Sequence, residues 1–262
     1  MATIQGYNFI FNDDNNESYG VIMCRFDDSS YSSNDEEANI ITSKTFGSDV
    51  FHLVNVDYEN PLKFTITICK EDGTYFNTDE QSRIKKWLCR KDDYHWLYID
   101  QEDMYDIRYK AIMTFAGMKD IGGKNGGMTF NVQCNSPFPY SSEYSVKKIC
   151  TSETLLFDLY CDSDFAESDS VIYPNVTITS ATTGTIQIKN ETTGETMKFT
   201  DCSVGEVITI TENEIPSTSA NRVILDHWNY TSLYFIDGDN KIIITGNCTL
   251  QLTYSLPRRV GG

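Results

Sequence analysis

The residues best equipped for chemistry fall into a few short groups. The stretch Gly117-Met-Lys-Asp-Ile-Gly122-Gly123-Lys124-Asn125 approaches a phosphate-binding loop. Such a loop needs Gly-x-x-x-x-Gly-Lys-Ser/Thr, so that backbone N–H groups surround the phosphate and a hydroxyl reaches magnesium. Here the spacing is off by one and Asn125 has no hydroxyl. With Gly126 and Gly127 following between strand-like runs, a flexible loop is expected instead. Asp162 and Asp164 match the first and third acids of a calcium loop, but Ala166 stands at position five and Glu167 at position six, where glycine is needed. A solvated acidic loop through Glu167 and Asp169 is the simpler reading. His52, His95 and His227 stand apart and no Gly-x-Ser-x-Gly elbow occurs, so a hydrolytic triad has no anchor. His52 and His95, beside Phe51 and Trp96 in strand-like runs, read as packing residues. Acids abound, yet linear spacing cannot place two of them across a glycosidase cleft. The eight cysteines lie far apart with no C-x-x-C, which reads as buried thiols rather than disulfides or a zinc site. The expectation is therefore no catalytic residue, no cofactor and no metal.

With 38 acidic against 21 basic residues, the net charge is −17. Phosphate affinity comes from Lys and Arg releasing condensed counterions, so neither a nucleic-acid-binding surface nor an anionic membrane is an expected partner. An acidic wall does suit a conduit through which DNA slides without sticking, provided the chain forms a ring. The N-terminus has no basic stretch followed by an apolar run, and no long apolar segment occurs elsewhere, so the chain is expected to be made and kept in a cytosol.

The elements that must position these residues are mostly strands. Period-2 runs occur at Tyr7 to Phe11, Tyr19 to Phe26, Val50 to Val56, Leu62 to Cys69, Tyr94 to Ile99, Tyr105 to Phe115 and Met128 to Cys134. One helix is expected from a capping-box pattern at Thr78-Asp79-Glu80-Gln81, running through Ile84, Trp87 and Leu88, with its Trp87 face on a sheet. Asp27 to Ser48 is polar and acidic, and reads as a long loop or arm. Tyr94, Trp96 and Tyr98 fall on one face of a strand, as a core, an interface or a sugar platform would require. Pro137 and Pro139 interrupt the pattern, so two domains are expected, 1–137 and 138–262. The second half reads as strands at Leu155 to Cys161, Val171 to Thr179, Thr185 to Lys189, Thr196 to Thr200, Val207 to Thr211, Arg222 to Leu225, Leu233 to Ile236, Lys241 to Thr245 and Thr249 to Tyr254. The fold class is mainly β: a sandwich- or barrel-like first domain with one packed helix, then an antiparallel sandwich.

Three stretches resemble the siphophage distal tail protein family, in the family's order: Phe9-Ile-Phe-Asn12 through Tyr19-Gly-Val-Ile22; Asn60-Pro-Leu-Lys-Phe-Thr-Ile66 through the capped helix to Asp92-Asp-Tyr-His-Trp-Leu-Tyr98 and Tyr105 to Phe115; and Met128 to Cys134 leading to Ser136-Pro-Phe-Pro-Tyr140. The second half resembles the galectin-like sandwich often fused behind that domain, through Tyr173-Pro-Asn-Val-Thr-Ile178 and the Phe235 to Ile244 hairpin. Galectins proper read sugars with His-x-Asn-x-Arg and a later Trp; here His227-Trp228-Asn229 is followed by Thr231 where the Arg belongs. The resemblance implies a structural, non-enzymatic virion protein: a homohexameric ring at the distal end of the tail, assembled in the bacterial host cytoplasm. Its implied partners are the tail tube protein and the hub or receptor-binding proteins, with DNA passing through the lumen. Contact candidates are the arm at Asp35, Glu36 and Glu37 and the glycine-rich loop at Gly122, Gly123, Lys124, Gly126 and Gly127, both being long polar or glycine-rich excursions. A carbohydrate-binding module or phage adhesin using His227, Trp228 and Asn229 remains the alternative, and a glycosidase a third.

Overall fold

The computed structural model describes residues 6–25, 39–58, 60–90, 92–165, 171–211, 214–219 and 223–259. The chain divides into two compact units, residues 1–141 joined by the C-terminal tail, and residues 142–257.

The first unit contains β1 (Asn8–Phe11), β2 (Asp14–Asn15), β3 (Val21–Met23), β4 (Asn39–Lys44), β5 (Phe51–Asp57), β6 (Lys63–Lys70), α1 (Thr78–Leu88), β7 (His95–Asp100), β8 (Arg108–Ile121) and β9 (Lys124–Cys134). Seven strands form one antiparallel sheet in the order β2-β1-β7-β8-β9-β6-β3. The sheet curls until its ends meet. Met23 N–H donates to Tyr7 O at 2.9 Å, and the buried Asn16 side chain accepts from Phe9 N–H at 2.7 Å while donating to Val21 O. Strand alternation sends Phe9, Phe11, Ile66, Ile68, Leu97, Ile99, Met113, Phe130 and Val132 into one core. Helix α1 packs Ile84, Trp87 and Leu88 into that core. Trp87 lies between Phe9 (centroids 5.5 Å) and Tyr19 (4.0 Å), and its Nε1–H donates to Phe11 O at 3.2 Å. The capping box sits one residue earlier than the sequence pattern suggests: Asn77 Oδ1 accepts from Glu80 N–H and Glu80 Oε2 accepts from Asn77 N–H, both at 2.9 Å. The Asn side chain outcompetes Thr78 because Asn77 has the extended backbone a cap requires.

The second unit contains β10 (Tyr144–Cys150), β11 (Thr154–Cys161), β12 (Asn175–Ser180), β13 (Gly184–Asn190), β14 (Thr196–Cys202), β15 (Val207–Ile210), β16 (Gly238–Thr245) and β17 (Cys248–Tyr254). They form two four-stranded antiparallel sheets, β10-β17-β12-β15 and β11-β16-β13-β14. Ile178, Ile188, Phe199, Ile208, Phe235, Ile242, Ile244, Leu250 and Leu252 fill the core between them. The fold class is as expected, mainly β with one packed helix.

Several local expectations are corrected. Asn39–Lys44, placed in a polar arm, is a strand paired with β5. Tyr144–Cys150, upstream of the first strand expected in the second half, is also a strand. Arg222 to Leu225 is not a strand: Ile224–His227 forms a 3-10 turn, and Arg222 lies outside the described residues. Leu233 to Ile236 keeps only a bridge from Phe235 to Ile172, and side chains take the Tyr234 carbonyl and both Ile236 backbone groups. Buried Asn190 donates to Tyr234 O at 2.9 Å, and buried Asn240 both accepts from Ile236 N–H and donates to Ile236 O. The glycine-rich loop is the tip of a long hairpin. Strands β8 and β9 remain paired out to Ile121 and Lys124, and Gly122 (φ 61°) and Gly123 (φ 80°) form the two-residue turn. Positive φ at both central positions is what a type I′ hairpin turn requires, and glycine adopts it without strain.

Candidate functional site

Two hairpins project from the first unit, and both involve contact candidates. At the β8–β9 tip, Asp120 Oδ1 accepts from Gly123 N–H at 2.7 Å, Asn125 O accepts from Phe76 N–H at 3.0 Å, and the Lys124 ammonium lies over the Tyr75 ring at 4.9 Å. This tip is ordered by its own bonds and presents a cation on an aromatic face. Gly126 and Gly127 are buried, and a Cβ on Gly126 would sit 2.4 Å from Ile121 Cδ1. Of the five contact candidates in this loop, only Gly122, Gly123 and Lys124 therefore offer surface.

The second hairpin, β4–β5, forms a sheet of its own. It exposes Ile40, Ile41, Phe46, Val50, Phe51, Leu53 and Val54, with Phe46 wholly open to solvent. His52 lies in this hairpin and is exposed, not packed as expected. Asp35, Glu36 and Glu37 lie outside the described residues.

The side of the curled sheet away from α1 carries Trp96, Tyr98, Lys63, Thr65, Ile112, Thr114, Asn131 and Gln133. Part of it is concave, a cavity of about 430 Å³ over β6, β9 and β8. Hydroxyls, amides and one ammonium can hydrogen-bond there, but its lining has no carboxylate or imidazole for proton transfer. The aromatic alternation faces this way too. Leu97 and Ile99 take the core, while Trp96 is partly exposed with its ring edge-on to Tyr140 at 5.7 Å.

His227, Trp228 and Asn229 come together along the edge of β14. Asn229 Oδ1 accepts from Lys198 N–H at 2.9 Å, and its Nδ2 donates to Thr196 O at 2.7 Å. Its amide thus replaces a neighbouring strand. Trp228 stacks near Phe199 (6.3 Å, 12°) and donates to Thr231 O, and His227 Nδ1 meets Asp201 Oδ2 at 3.1 Å. These bonds hold a strap on the sandwich.

His95 lies edge-on to Phe11 and meets the Asp92 carboxylate at 3.1 Å, which holds that carboxyl below its usual range. All eight cysteines are reduced, five of them buried. Burial pushes Cys134, Cys161 and Cys248 up to about 12, the last two with help from Asp237 and from Cys150 and Cys202 respectively, far from what a thiolate nucleophile needs. In the acidic loop, Ser163 N–H donates to Asp237, while Ala166, Glu167 and Asp169 lie outside the described residues. Among the described residues no group of three or more His, Cys, Asp or Glu is placed to hold a metal, and no helix is long and apolar enough to cross a membrane.

Residues 4–136 match the family of phage tail protein N-terminal domains, and residues 138–254 match that of phage tail C-terminal domains. No curated relative matches the sequence. Among solved structures, the Dit protein of phage SPP1, described as a paradigm of the hub adsorption apparatus in phages infecting Gram-positive hosts, shares 14% identity at a TM-score of 0.62, covering 96% of this chain and 100% of its own. A chain of the activated phage P2 baseplate shares 9% at a TM-score of 0.55, covering 95% and 98%. At these identities the likeness is one of fold.

Proposed function

We propose, from the premise that this chain belongs to the phage tail protein family, that it forms a closed homohexameric ring at the distal end of the tail, between the tail tube protein and the hub or receptor-binding proteins. The chain is a structural component of the virion tail, working in assembly with other tail and baseplate proteins. In this reading it has no catalytic role, and DNA passes through the lumen without specific binding.

The observation that carries self-association is the β4–β5 hairpin. A two-stranded hairpin is marginal alone in water, and so many large apolar side chains exposed on one hairpin mark a contact. Each copy supplies one hairpin, so a head-to-tail interface that closes on itself can cover every hairpin with a neighbour. The net charge of −17 keeps phosphates from adhering to the ring. The ordered β8–β9 tip, through Gly122, Gly123 and Lys124, is a second contact candidate, and its removal should be compared with that of the hairpin.

The test is native mass spectrometry with negative-stain imaging of the full chain and of a variant with residues 39–57 replaced by a Gly/Ser linker. Hexamers with a central hole, lost in the variant while its far-ultraviolet spectrum stays β-rich, support the reading. Hexamers that survive the replacement remove the hairpin from the interface. A monomer at every concentration, also in the presence of the tube protein, removes the ring.

A further inference from the structure

The second unit treats its four sheet edges unequally. Along β14, the Asn229 amide and the Trp228 bridge to Phe199 cover the edge. Along β15, Thr209 N–H donates to Pro216 O and Thr218 N–H donates to Val207 O, both at 3.0 Å. The chain thus spends two straps on shielding that side. On the other side, β10 carries Lys147 and Lys148, charges that discourage strand addition. Among the described residues its neighbour β11 has no strap and no lysine of its own, although the Lys148 ammonium lies over the inward-alternating Phe157 ring at 5.1 Å. It is eight residues long, Thr-Leu-Leu-Phe-Asp-Leu-Tyr-Cys, and pairs with β16 without a bulge.

The register identifies the backbone groups that are left open. Gly246 N–H donates to Glu153 O, one step before the pair Thr154–Thr245. Lys241, opposite Asp158, turns its N–H to Thr192 Oγ1 and its carbonyl to Glu191 N–H, away from β11. Antiparallel pairs alternate between bonded and non-bonded. Leu155, Phe157 and Leu159 therefore bond to β16, while the N–H and C=O of Leu156, Asp158 and Tyr160 point to the open side. The same three residues are exposed, Leu156 at 51% and Tyr160 at 66%. Backbone donors, backbone acceptors and a Leu-x-Asp-x-Tyr row of side chains thus lie along one edge that is bare among the described residues.

We infer that the β11 edge is a strand-addition site for an extended segment of another protein, patterned apolar-x-basic-x-apolar. Backbone bonds would supply affinity, and the side chains opposite Leu156, Asp158 and Tyr160 would supply selectivity. A second copy fits poorly. Antiparallel self-pairing through the open groups sets Asp158 opposite Asp158 or opposite Leu156 in the two registers that overlap most. A basic residue opposite Asp158 instead extends the row from Lys241. This inference rests on the tail reading only for where the partner is found.

The probe is the peptide acetyl-Thr-Val-Thr-Lys-Thr-Val-Thr-amide and its counterpart with Glu for Lys, added to the full chain and followed by residue-resolved amide hydrogen exchange. The amides of Leu156, Asp158 and Tyr160 should exchange readily in the chain alone and gain protection with the Lys peptide. Those of Leu155, Phe157 and Leu159 should be protected throughout. The Lys peptide should bind roughly 2–5-fold tighter than the Glu peptide, and Asp158→Lys should invert that order. Leu156→Pro removes an outward donor but no bond to β16, so it should weaken both peptides without unfolding the sandwich. Amides already protected in the chain alone, no binding at millimolar peptide, or an order unchanged by Asp158→Lys would overturn the inference. Ring assembly is read on the same samples: rings without peptide binding sink the edge site alone, and peptide binding without rings sinks the ring alone.

Discussion

Trp87 is the strongest single link between α1 and the curled sheet, so its replacement has a calculable cost. It is 2% exposed, flanked by Phe9 and Tyr19, and bonded through Nε1 to the Phe11 carbonyl. Trp87→Ala removes the packed ring and the donor together, which costs about 3–5 kcal/mol. Trp87→Phe keeps an aromatic ring between its neighbours but removes the indole hydrogen bond to the Phe11 carbonyl and trims the ring, about 1–3 kcal/mol together. The alanine variant should therefore lose roughly 2 kcal/mol more than the phenylalanine variant. Urea unfolding measures both losses, and amide exchange locates them. Protection should fall in α1 and β1 and persist in β12 and β17 of the second unit. If Trp87→Ala costs less than ~1 kcal/mol, or if the two variants lose the same amount, the indole ring is not what fastens the helix.

Asn229→Ala should uncover the β14 edge, losing about 1–3 kcal/mol from its two hydrogen bonds to Lys198 N–H and Thr196 O, with the Lys198 amide exchanging faster; unchanged exchange would show that the strap holds without its amide. In thiol titration with Ellman's reagent at pH 8, Cys134, Cys161 and Cys248, pushed up to about 12 by burial, should react only as the chain opens, while the half-buried Cys69 and Cys89 react first; prompt reaction at all eight would contradict the burial. Stability should fall in acid. Glu80 is held below its ordinary value by hydrogen bonds from Lys70 and Asn77, Asp72 by those from Thr74, and Asp92 by that from His95. Their contribution is complete above the unfolded-state values near ~4 and is lost as pH falls through the lower native ones. In Glu80→Gln the slope of stability against pH below that point should be shallower, and an unchanged slope would place the titration elsewhere.

Much of the fold was legible because its signals are local. Alternation from Leu62 to Cys69 and from Met128 to Cys134 selects one face for the core whatever the strands pair with. The helix likewise declares itself through its cap and the spacing of Ile84, Trp87 and Leu88. The family resemblance rested on the order of such segments. What the sequence could not determine was which edges and faces remain uncovered, since that depends on which segments meet. Nothing in Asn39 to Lys44 distinguishes a strand from an arm until Phe51 to Asp57 lies beside it. Asn229 looks like part of a sugar-reading motif until its amide is found bonded to β14, and the Gly122-Gly123 pair looks like a flexible loop until β8 and β9 are found paired, through two bulges, right up to it. The bare edge of β11 is invisible in its own eight residues. It follows from the pairing with β16 alone and from straps, more than 50 residues away along the chain, that cover β14 and β15 instead.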